Sequence, residues 1–484
     1  MALRIYNTLT RKKDEFIPLE KNHVKLYVCG ITSYDYCHIG HARSILVFDM
    51  VVRYLRYRGY RVTYIRNFTD IDDKIIKRAE EQNVDAGSLA EQFINEFYVD
   101  SDALGALRPD LEPRATAHIT EMLEFIQTLI DQDMAYVSGG DVYFRVNRYP
   151  DYGCLSGRNL DDMQAGARID VNELKEHPMD FVLWKAAKPG EPKWDSPWGM
   201  GRPGWHIECS AMSRKYLGDA FDIHGGGKDL IFPHHENEIA QSCGAGCAFA
   251  RMWMHHGFVT IKDEKMSKSL GNFLTIRDVL KKYNAEELRL FLFSTQYRNP
   301  LDFSEAALED ARAGLERLYE CLAQVFEIRQ NDEASQCIGE KDREKLETFV
   351  TRFQYTMDND FNTAQALGLF FDIIKTLNKI MRAAANGINS DECALITAGA
   401  ASLQMLGQVL GIAQRDPIQV LQEKKQKLLA RSELSEEEIL SLIEIRNQAR
   451  KDKDWATSDE VRDRLLAHDI VLKDRPDGTV WDVK

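Results

Sequence analysis

Short apolar runs alternate with an amphipathic segment between residues 23 and 67, and this alternation constrains the fold more than any other feature. Residues 23–29 (HVKLYVC) are typical of a strand, residues 30–40 of a turn-rich loop, and residues 41–57 of an amphipathic helix. A second strand is predicted at residues 60–67 (YRVTYIRN). This order predicts a βαβ unit and a parallel sheet, in which ligands bind at the carboxyl ends of the strands.

The pattern changes along the rest of the chain and predicts an α/β sheet domain interrupted by an insertion. The insertion contains a hairpin-like run (YVSGGDVYFRV) and a segment dense in Pro, Gly and Trp. Helix and strand patterning resumes at Trp205, the chain is nearly all helical after about residue 305, and a small charged unit with a second hairpin follows. The predicted units are residues 1–124, 125–204, 205–305, 306–415 and 416–484.

Composition excludes several classes of protein. The 62 basic and 76 acidic residues give a formal charge of −14, which excludes a protein that coats nucleic acid by bulk charge. The nine cysteines are odd in number and widely scattered, so we expect reduced thiols or metal ligands rather than a disulfide framework. We find no apolar run of the roughly 18 residues that span a bilayer, and charge comes too early for a signal peptide. We therefore expect a cytoplasmic protein without a membrane segment.

Two short motifs carry side chains suited to phosphate. His38, Gly40 and His41 (HIGH) follow the first strand and open a helix, where imidazoles and free backbone N–H groups can donate to phosphate oxygens. Lys265 and Lys268 (KMSKS) provide two ammonium groups on a loop that can close over a triphosphate. Either motif alone is equally compatible with a solvated loop or turn. Their presence in one α/β chain favours a nucleotide site.

A third group of residues suits a metal ion. His234 and Glu238 are four residues apart, so they project from one face of a helix, whereas His235 points about 100° away and is expected to pack or to face ATP. Cys209 lies in WHIECSAM, and Cys29 ends the first strand. Cys, Cys, His and Glu can form a tetrahedral zinc shell, although isolated buried cysteines are usually inert.

The two phosphate motifs resemble the HIGH and KMSKS signatures of class I aminoacyl-tRNA synthetases. Between them lie CG at residues 29–30, WHIEC at 205–209, HGGGKDL at 224–230 and FPHHENE at 232–238. With these motifs in this order, most of the chain is similar to the cysteinyl-tRNA synthetase family. The resemblance implies a Rossmann-like catalytic domain in two halves around a connective-peptide insertion, then a helical domain and a C-terminal anticodon-binding domain. It implies a monomer whose substrates are ATP, L-cysteine and tRNA(Cys).

The resemblance also assigns residues to roles. It implies one Zn²⁺ on Cys29, Cys209, His234 and Glu238, and selection of cysteine through its thiolate. It implies that Gly30, Thr69 and Trp205 lie around the amino acid, although helix capping explains Thr69 equally well. Gly226 and Asp229, in HGGGKD, are candidate nucleotide contacts, with a plain turn as the alternative. ATP would bind with Mg²⁺ at His38, Gly40, His41, Gly226, Asp229, Lys265 and Lys268, and catalysis would use His38, His41, Lys265 and Lys268.

Other interpretations stay open at this point. A ligase on the same core could pass cysteine to a small amine, and a non-catalytic zinc protein could bind tRNA as a regulator. The arginine-rich run at residues 53–66 is either an RNA-binding patch or a solvated face. Trp455 and Trp481 are core or base-stacking residues, and we expect the core.

Overall fold

The computed structural model describes residues 2–159, 174–261, 264–265, 274–328, 330–334, 336–384, 387–429, 434–468, 470–475 and 478–483. Its elements as far as residue 256 are β1 (Arg4–Asn7), β2 (Lys12–Glu15), β3 (His23–Thr32), α1 (Ile39–Tyr57), β4 (Arg61–Thr69), α2 (Asp73–Gln82), α3 (Ala86–Ala103), α4 (Ile119–Asp131), β5 (Ala135–Ser138), β6 (Asp141–Phe144), β7 (Phe181–Ala186), β8 (Gly201–Pro203), α5 (Trp205–Leu217), β9 (Ala220–Gly227), α6 (Glu236–Gly244) and β10 (Phe249–His256). The elements beyond are β11 (Val259–Ile261), β12 (Glu264–Lys265), α7 (Ile276–Leu280), α8 (Ala285–Phe293), β13 (Leu301–Asp302), α9 (Glu305–Phe326), α10 (Glu340–Met357), α11 (Thr363–Ala383), α12 (Ser390–Leu410), α13 (Pro417–Leu429), α14 (Glu436–Lys451), α15 (Trp455–Ala467), β14 (Ile470–Arg475) and β15 (Gly478–Val483).

A parallel sheet of four strands, in the order β10-β9-β3-β4, confirms the predicted βαβ unit. Its two halves are far apart in sequence, because β3 and β4 precede the insertion and β9 and β10 follow it. Tyr27 of β3 lies opposite His224 of β9. Since side chains alternate along a strand, Cys29 and His224 face the same side of the sheet. The insertion is an antiparallel sheet in the order β5-β6-β7-β8, as its hairpin pattern predicts.

The α1 helix is buried on nearly every side, because it lies between the sheet and the helical region. Tyr54 donates a 2.7 Å hydrogen bond to Asp358, just beyond α10. Asp49 of α1 accepts from Arg289 of α8 at 2.6 Å, and both side chains are buried. The helix that begins at the HIGH motif is therefore held by partners from the helical half of the chain.

The helices α9 to α12 form the predicted helical region and share one core with the sheet domain. The α12 helix is long and apolar enough to cross a membrane by length and composition, which the run-length argument above missed. However, Ile396, Leu403, Leu406 and Leu410 are buried among the neighbouring helices. The packing is that of a core helix.

The C-terminal unit has its own small core, formed by α14, α15 and the β14–β15 hairpin. Trp481 is buried there, as expected, whereas the core prediction for Trp455 was wrong, because its side chain is 61% exposed. Arg446 holds Asp474 with two hydrogen bonds of 2.8 Å and so ties α14 to β14.

The arginines between residues 53 and 66 do not form an open cationic patch. Four of them pair with carboxylates, and Arg61 contacts the ring of His23. The ion pairs are Arg53–Asp49, Arg56–Asp110, Arg58–Asp358 and Arg66–Glu112. Because these arginines make their contacts within the protein, the RNA-binding interpretation of this run is disfavoured.

Candidate active site

Four candidate metal ligands come together at the carboxyl edge of the sheet. Cys29 lies on β3, Cys209 on α5, His234 in the turn before α6, and Glu238 in the first turn of α6. All four side chains are buried, and their ligand atoms lie within 4.8 Å of one another. Three elements distant in sequence therefore place the four predicted donors around one point.

The distances between the donor atoms suit a tetrahedral metal ion. The Sγ atoms of Cys29 and Cys209 are 3.5 Å apart, and Glu238 Oε1 lies 3.5 Å from Cys29 Sγ and 3.0 Å from His234 Nε2. Ligands bound at zinc distances of 2.0–2.3 Å are roughly 3.3–3.8 Å apart in a tetrahedron. The donor set therefore fits a divalent cation without a large rearrangement.

A second group of donors shares Cys29 and Glu238 with the first and adds His224 and His235. His224 Nε2 lies 2.8 Å from Glu238 Oε2, and His235 Nε2 lies 3.3 Å from Cys29 Sγ. The prediction that His235 points away from the metal ligands was wrong. Residues 231–235 form an irregular turn with extended backbone at Phe232, so the spacing of a regular helix does not apply there.

The cluster lies where unbalanced charge is costly. Burial raises the pKa of the Cys29 thiol well above its usual value and also raises the pKa of Cys209. Burial lowers the pKa of His234 and His235 well below the usual value. A divalent cation offsets this penalty, because it binds thiolates, carboxylates and neutral imidazoles.

Aromatic rings cover the cluster and orient His234. The ring of Trp205 stacks on that of His234 with 4.2 Å between centroids and 22° between planes. His206 Nδ1 lies 2.9 Å from His234 Nδ1, so it holds the side of the ring opposite the metal-facing Nε2. A partner on the second nitrogen is the arrangement that fixes a metal-ligating histidine.

A cleft of about 360 Å³ lies beside the cluster, and most of the predicted substrate-binding residues line it. Because Cys29 belongs to both, and Trp205 lines the cleft and stacks on His234, the cleft is continuous with the metal-capable cluster. Its lining includes Cys29, Gly30, His38, Gly40, His41, Trp205, Gly227 and Asp229.

The two HIGH imidazoles cap α1 with their Nδ1 atoms. His38 Nδ1 accepts from the Gly40 N–H at 3.0 Å, and His41 Nδ1 accepts from the His38 N–H at 3.2 Å. A neutral ring whose Nδ1 accepts carries its hydrogen on Nε2. Burial, with the charges of His38 and His256, lowers the pKa of His41 well below its usual value. His41 is therefore a neutral Nε2–H donor at the cleft.

Two glycines are required for steric reasons. A Cβ on Gly40 would lie 2.7 Å from the His38 ring, which folds back over the helix start. A Cβ on Gly30 would lie 1.6 Å from the carbonyl oxygen of Asn67 on β4. Both glycines line the cleft where the backbone is closely packed.

The remaining predicted residues lie in different places. Gly226 is buried in β9, where a Cβ would meet the His235 ring at 2.8 Å, and Gly227 lines the cleft instead. Thr69 donates to the buried Glu208 at 2.8 Å, and Asp72, not Thr69, caps α2. Lys265 lies on β12, opposite Thr260 of β11. Lys268 lies outside the described residues.

Sequence reasoning missed the role of His224. The HGGGKD run was interpreted as a nucleotide contact, but its histidine contacts Glu238 instead. The signal was present in the strand pattern, since a histidine on a strand parallel to β3 can share a face with Cys29. That signal could be interpreted only once the pairing of β3 with β9 was known.

Comparison with known proteins identifies the family. A family model described as the tRNA synthetases class I (C) catalytic domain matches residues 15–313. A DALR domain matches residues 352–414, and a cysteinyl-tRNA ligase anticodon binding domain matches residues 432–481. The cysteine–tRNA ligase of Desulfotalea psychrophila is 62% identical over 485 residues, covering 100% of this chain and 99% of that protein. The chain belongs to the cysteinyl-tRNA synthetase family.

Further matches agree with this cysteinyl-tRNA synthetase assignment. The cysteine–tRNA ligase of Trichlorobacter lovleyi is 54% identical over 488 residues, covering 100% of both chains. Methionyl-tRNA synthetase of Mycobacterium tuberculosis in complex with methionyl-adenylate has a TM-score of 0.60 at 17% identity, covering 84% of this chain and 93% of that one, and shows the fold alone. The predicted family, α/β fold class and ATP-dependent ligase class are confirmed. A synthetase with an anticodon-binding domain takes tRNA, ATP and an amino acid as substrates.

Proposed function

We propose that this synthetase charges tRNA(Cys) in two steps. In the first, a carboxylate oxygen of L-cysteine attacks the α-phosphorus of ATP, the bond from the α-phosphorus to the oxygen that bridges it to the β-phosphorus breaks, and pyrophosphate leaves with that oxygen and the bonding electrons. In the second, the 2′-OH of the terminal ribose of tRNA attacks the carbonyl carbon of cysteinyl-adenylate, and AMP leaves. Neither step needs a covalent bond to the enzyme, so the protein acts by positioning and charge stabilisation.

We propose that Cys29, Cys209, His234 and Glu238 bind one Zn²⁺ ion per chain. The donor set with two soft thiolates favours zinc over the hard cations that prefer oxygen. When bound, zinc supplies a Lewis acid that holds a thiolate far more tightly than a hydroxyl, which distinguishes cysteine from serine. A pocket selecting only by size would discriminate by roughly 1–3 kcal/mol.

The amino acid is proposed to lie between Gly30, Thr69 and Trp205. Trp205 stacks on His234 and lines the cleft, so its indole can exclude water beside the metal ligands. Gly30 keeps β3 close to β4 and leaves the floor of the cleft free of a side chain. The Thr69 hydroxyl donates its hydrogen to Glu208, so its oxygen is left to accept a hydrogen bond from the ammonium group of the substrate.

The triphosphate is proposed to bind between the HIGH helix, α1, and the pair of strands β11 and β12, called here the KMSKS hairpin because β12 ends at Lys265, the first residue of that motif. His38 and His41 present Nε2–H groups to phosphate oxygens, and Gly40 allows close approach at the helix start. Lys265 and Lys268 are proposed to add positive charge that stabilises the departing pyrophosphate. Mg²⁺ is proposed to bind together with ATP, and Asp229 to accept a hydrogen bond from a ribose hydroxyl. Gly226 is proposed to support the end of β9 next to the nucleotide.

The other proposals concern organisation. We assign residues 1–124 and 205–305 to the catalytic domain, 125–204 to the connective peptide, 306–415 to the helical domain and 416–484 to anticodon binding. The enzyme is proposed to act as a monomer in the cytoplasm, with no membrane partner.

The observation that carries the proposal is the continuity between the cleft and the buried Cys, Cys, His and Glu cluster. Its test is cysteine-dependent exchange of pyrophosphate into ATP, measured after chelation and again after adding Zn²⁺. We expect exchange to disappear with the metal and return with it, and to require cysteine rather than serine. Zinc-independent exchange would refute the proposed selection.

A cobalt-substituted sample tests the contact directly. Adding free cysteine should produce a new sulfur-to-cobalt charge-transfer band, and adding serine should not. If no new band appears, direct contact between the substrate and the metal is refuted. Transfer of labelled cysteine to tRNA then distinguishes a tRNA ligase from one that uses a small amine.

A further inference from the structure

Arg43 is a buried cation on α1, two residues after His41. Its side chain is 0% exposed. Nη1 donates to the Phe258 carbonyl at 2.7 Å, and Nη2 donates to the carbonyls of Tyr297 at 3.1 Å and Asn299 at 2.6 Å. Within the described part of the chain no carboxylate pairs with Arg43. Since an unpaired buried charge is costly, these three carbonyls are the groups that stabilise it.

The three carbonyls belong to two segments that are hydrogen-bonded side by side at the base of the KMSKS hairpin. The Gly257 N–H donates to the Tyr297 carbonyl at 2.8 Å, and the Leu301 N–H donates to the Phe258 carbonyl at 2.9 Å. Directly beyond these hydrogen bonds, β11 begins at Val259 and pairs with both β13 and β12. Arg43 therefore joins this pair of segments to α1 with one planar group.

We propose that Arg43 is a positioning residue for ATP, because it fixes the HIGH helix relative to the KMSKS hairpin. His38 and His41 lie on the same helix as Arg43, and Lys265 lies opposite Thr260, two residues beyond Phe258. The guanidinium thus sets the separation of the two motifs that act on one triphosphate, the neutral imidazole donors of HIGH and the lysines of KMSKS. The inference rests on the proposed function, in which both motifs bind phosphate.

The first test is Arg43→Lys, which keeps the charge but cannot bridge three carbonyls from a single ammonium. In cysteine-dependent pyrophosphate exchange we expect the KM for ATP to rise about tenfold and the KM for cysteine to change less than about twofold. Cysteine is spared because its proposed site is built by β3, β4, α5 and α6, whereas the carbonyls that Arg43 holds belong to Phe258, Tyr297 and Asn299. Equal changes in both KM values, or no change, would overturn the proposal.

Arg289→Lys is the matched control. Arg289 is also a buried arginine bonded to α1, through Asp49, and it donates to the carbonyls of Leu104 and Gly105 away from the hairpin. We expect a lower melting temperature and no separation of the two KM values. If this control separates them as Arg43→Lys does, general loosening of α1 explains the effect and the proposal fails.

Gly257→Ala tests the same contact without changing Arg43. An added Cβ would lie 2.3 Å from the Asn299 carbonyl oxygen, so this acceptor must move away from the guanidinium. We expect the KM for ATP to rise about threefold or more with the KM for cysteine nearly constant, and parallel changes would refute the proposal. Wild-type enzyme without cysteine-dependent exchange would instead refute the proposed function, so the two failures are distinguishable.

Discussion

Replacing Cys209 by serine tests which buried donors hold the metal. Cys209 is 2% exposed, and its Sγ lies 3.5 Å from that of Cys29. Serine is smaller and uncharged, so we expect the fold to persist. The change removes one of the four donors of the first group and none of the second.

The size of the effect follows from the donor count. A structural zinc site contributes about 10–16 kcal/mol at pH 7, hence about 2.5–4 kcal/mol per donor if the four contribute equally. At about 1.4 kcal/mol per tenfold change, loss of one donor lowers zinc affinity by about 10²–10³-fold. The KM for cysteine should rise far more than the KM for ATP, since the proposed ATP site includes none of the four proposed metal ligands.

The assay is competition between the protein and a chromogenic zinc chelator, followed by pyrophosphate exchange at saturating zinc. Cys243→Ser is the matched control, because Cys243 is a partly buried cysteine on α6, the helix of Glu238, and belongs to neither donor group. We expect the control to bind zinc as the wild type does. Unchanged zinc affinity in Cys209→Ser, with a large loss in His224→Gln, would refute the first group and assign the ion to the second.

Three further changes test the scaffold around the site. Asp49→Asn leaves the buried Arg289 without its carboxylate and should cost about 3–5 kcal/mol of unfolding free energy, measured by urea denaturation; a loss below about 1 kcal/mol would contradict this. The hydrogen bonds from Arg446 hold the pKa of Asp474 well below its usual value. The stability of the C-terminal unit should therefore fall as the pH drops below about 4, which Trp481 fluorescence should follow. Arg446→Gln should weaken this pH dependence. Tyr319→Phe removes a 2.7 Å bond to Glu286 and a contact with the Arg415 N–H at the start of α13. It should lower kcat/KM for tRNA about fivefold and leave pyrophosphate exchange unchanged, and an equal loss in both assays would show a purely structural role.

The sequence predicts the sheet domain well, because its signals are local. Apolar runs flanked by turn residues define β3, α1 and β4, and the Pro- and Gly-rich segment marks the insertion. The helix begins at Ile39 rather than at His41, because the His38 imidazole caps the first turn, a contact that periodicity does not reveal. The individual ATP and cysteine contacts stay predictions.

The contacts that sequence reasoning missed depend on pairings between distant segments. His224 shares a face with Cys29 only because β9 is placed beside β3, and His235 reaches Cys29 only because the turn before α6 is irregular. Because Gly226 has no side chain, the His235 ring fits against it. The HGGGKD motif had predicted a nucleotide contact at this glycine. A glycine indicates close approach but does not identify the neighbour.

The split sheet has a consequence for synthesis of the protein itself. Cys29 and Glu238 are 209 positions apart, so the proposed metal ligands cannot assemble until most of the catalytic half has left the ribosome. At about 5–20 residues per second this delay lasts roughly 10–40 s. During that interval the Cys29 thiol lacks its later partners, and a nascent chain truncated before residue 205 contributes one of the four donors.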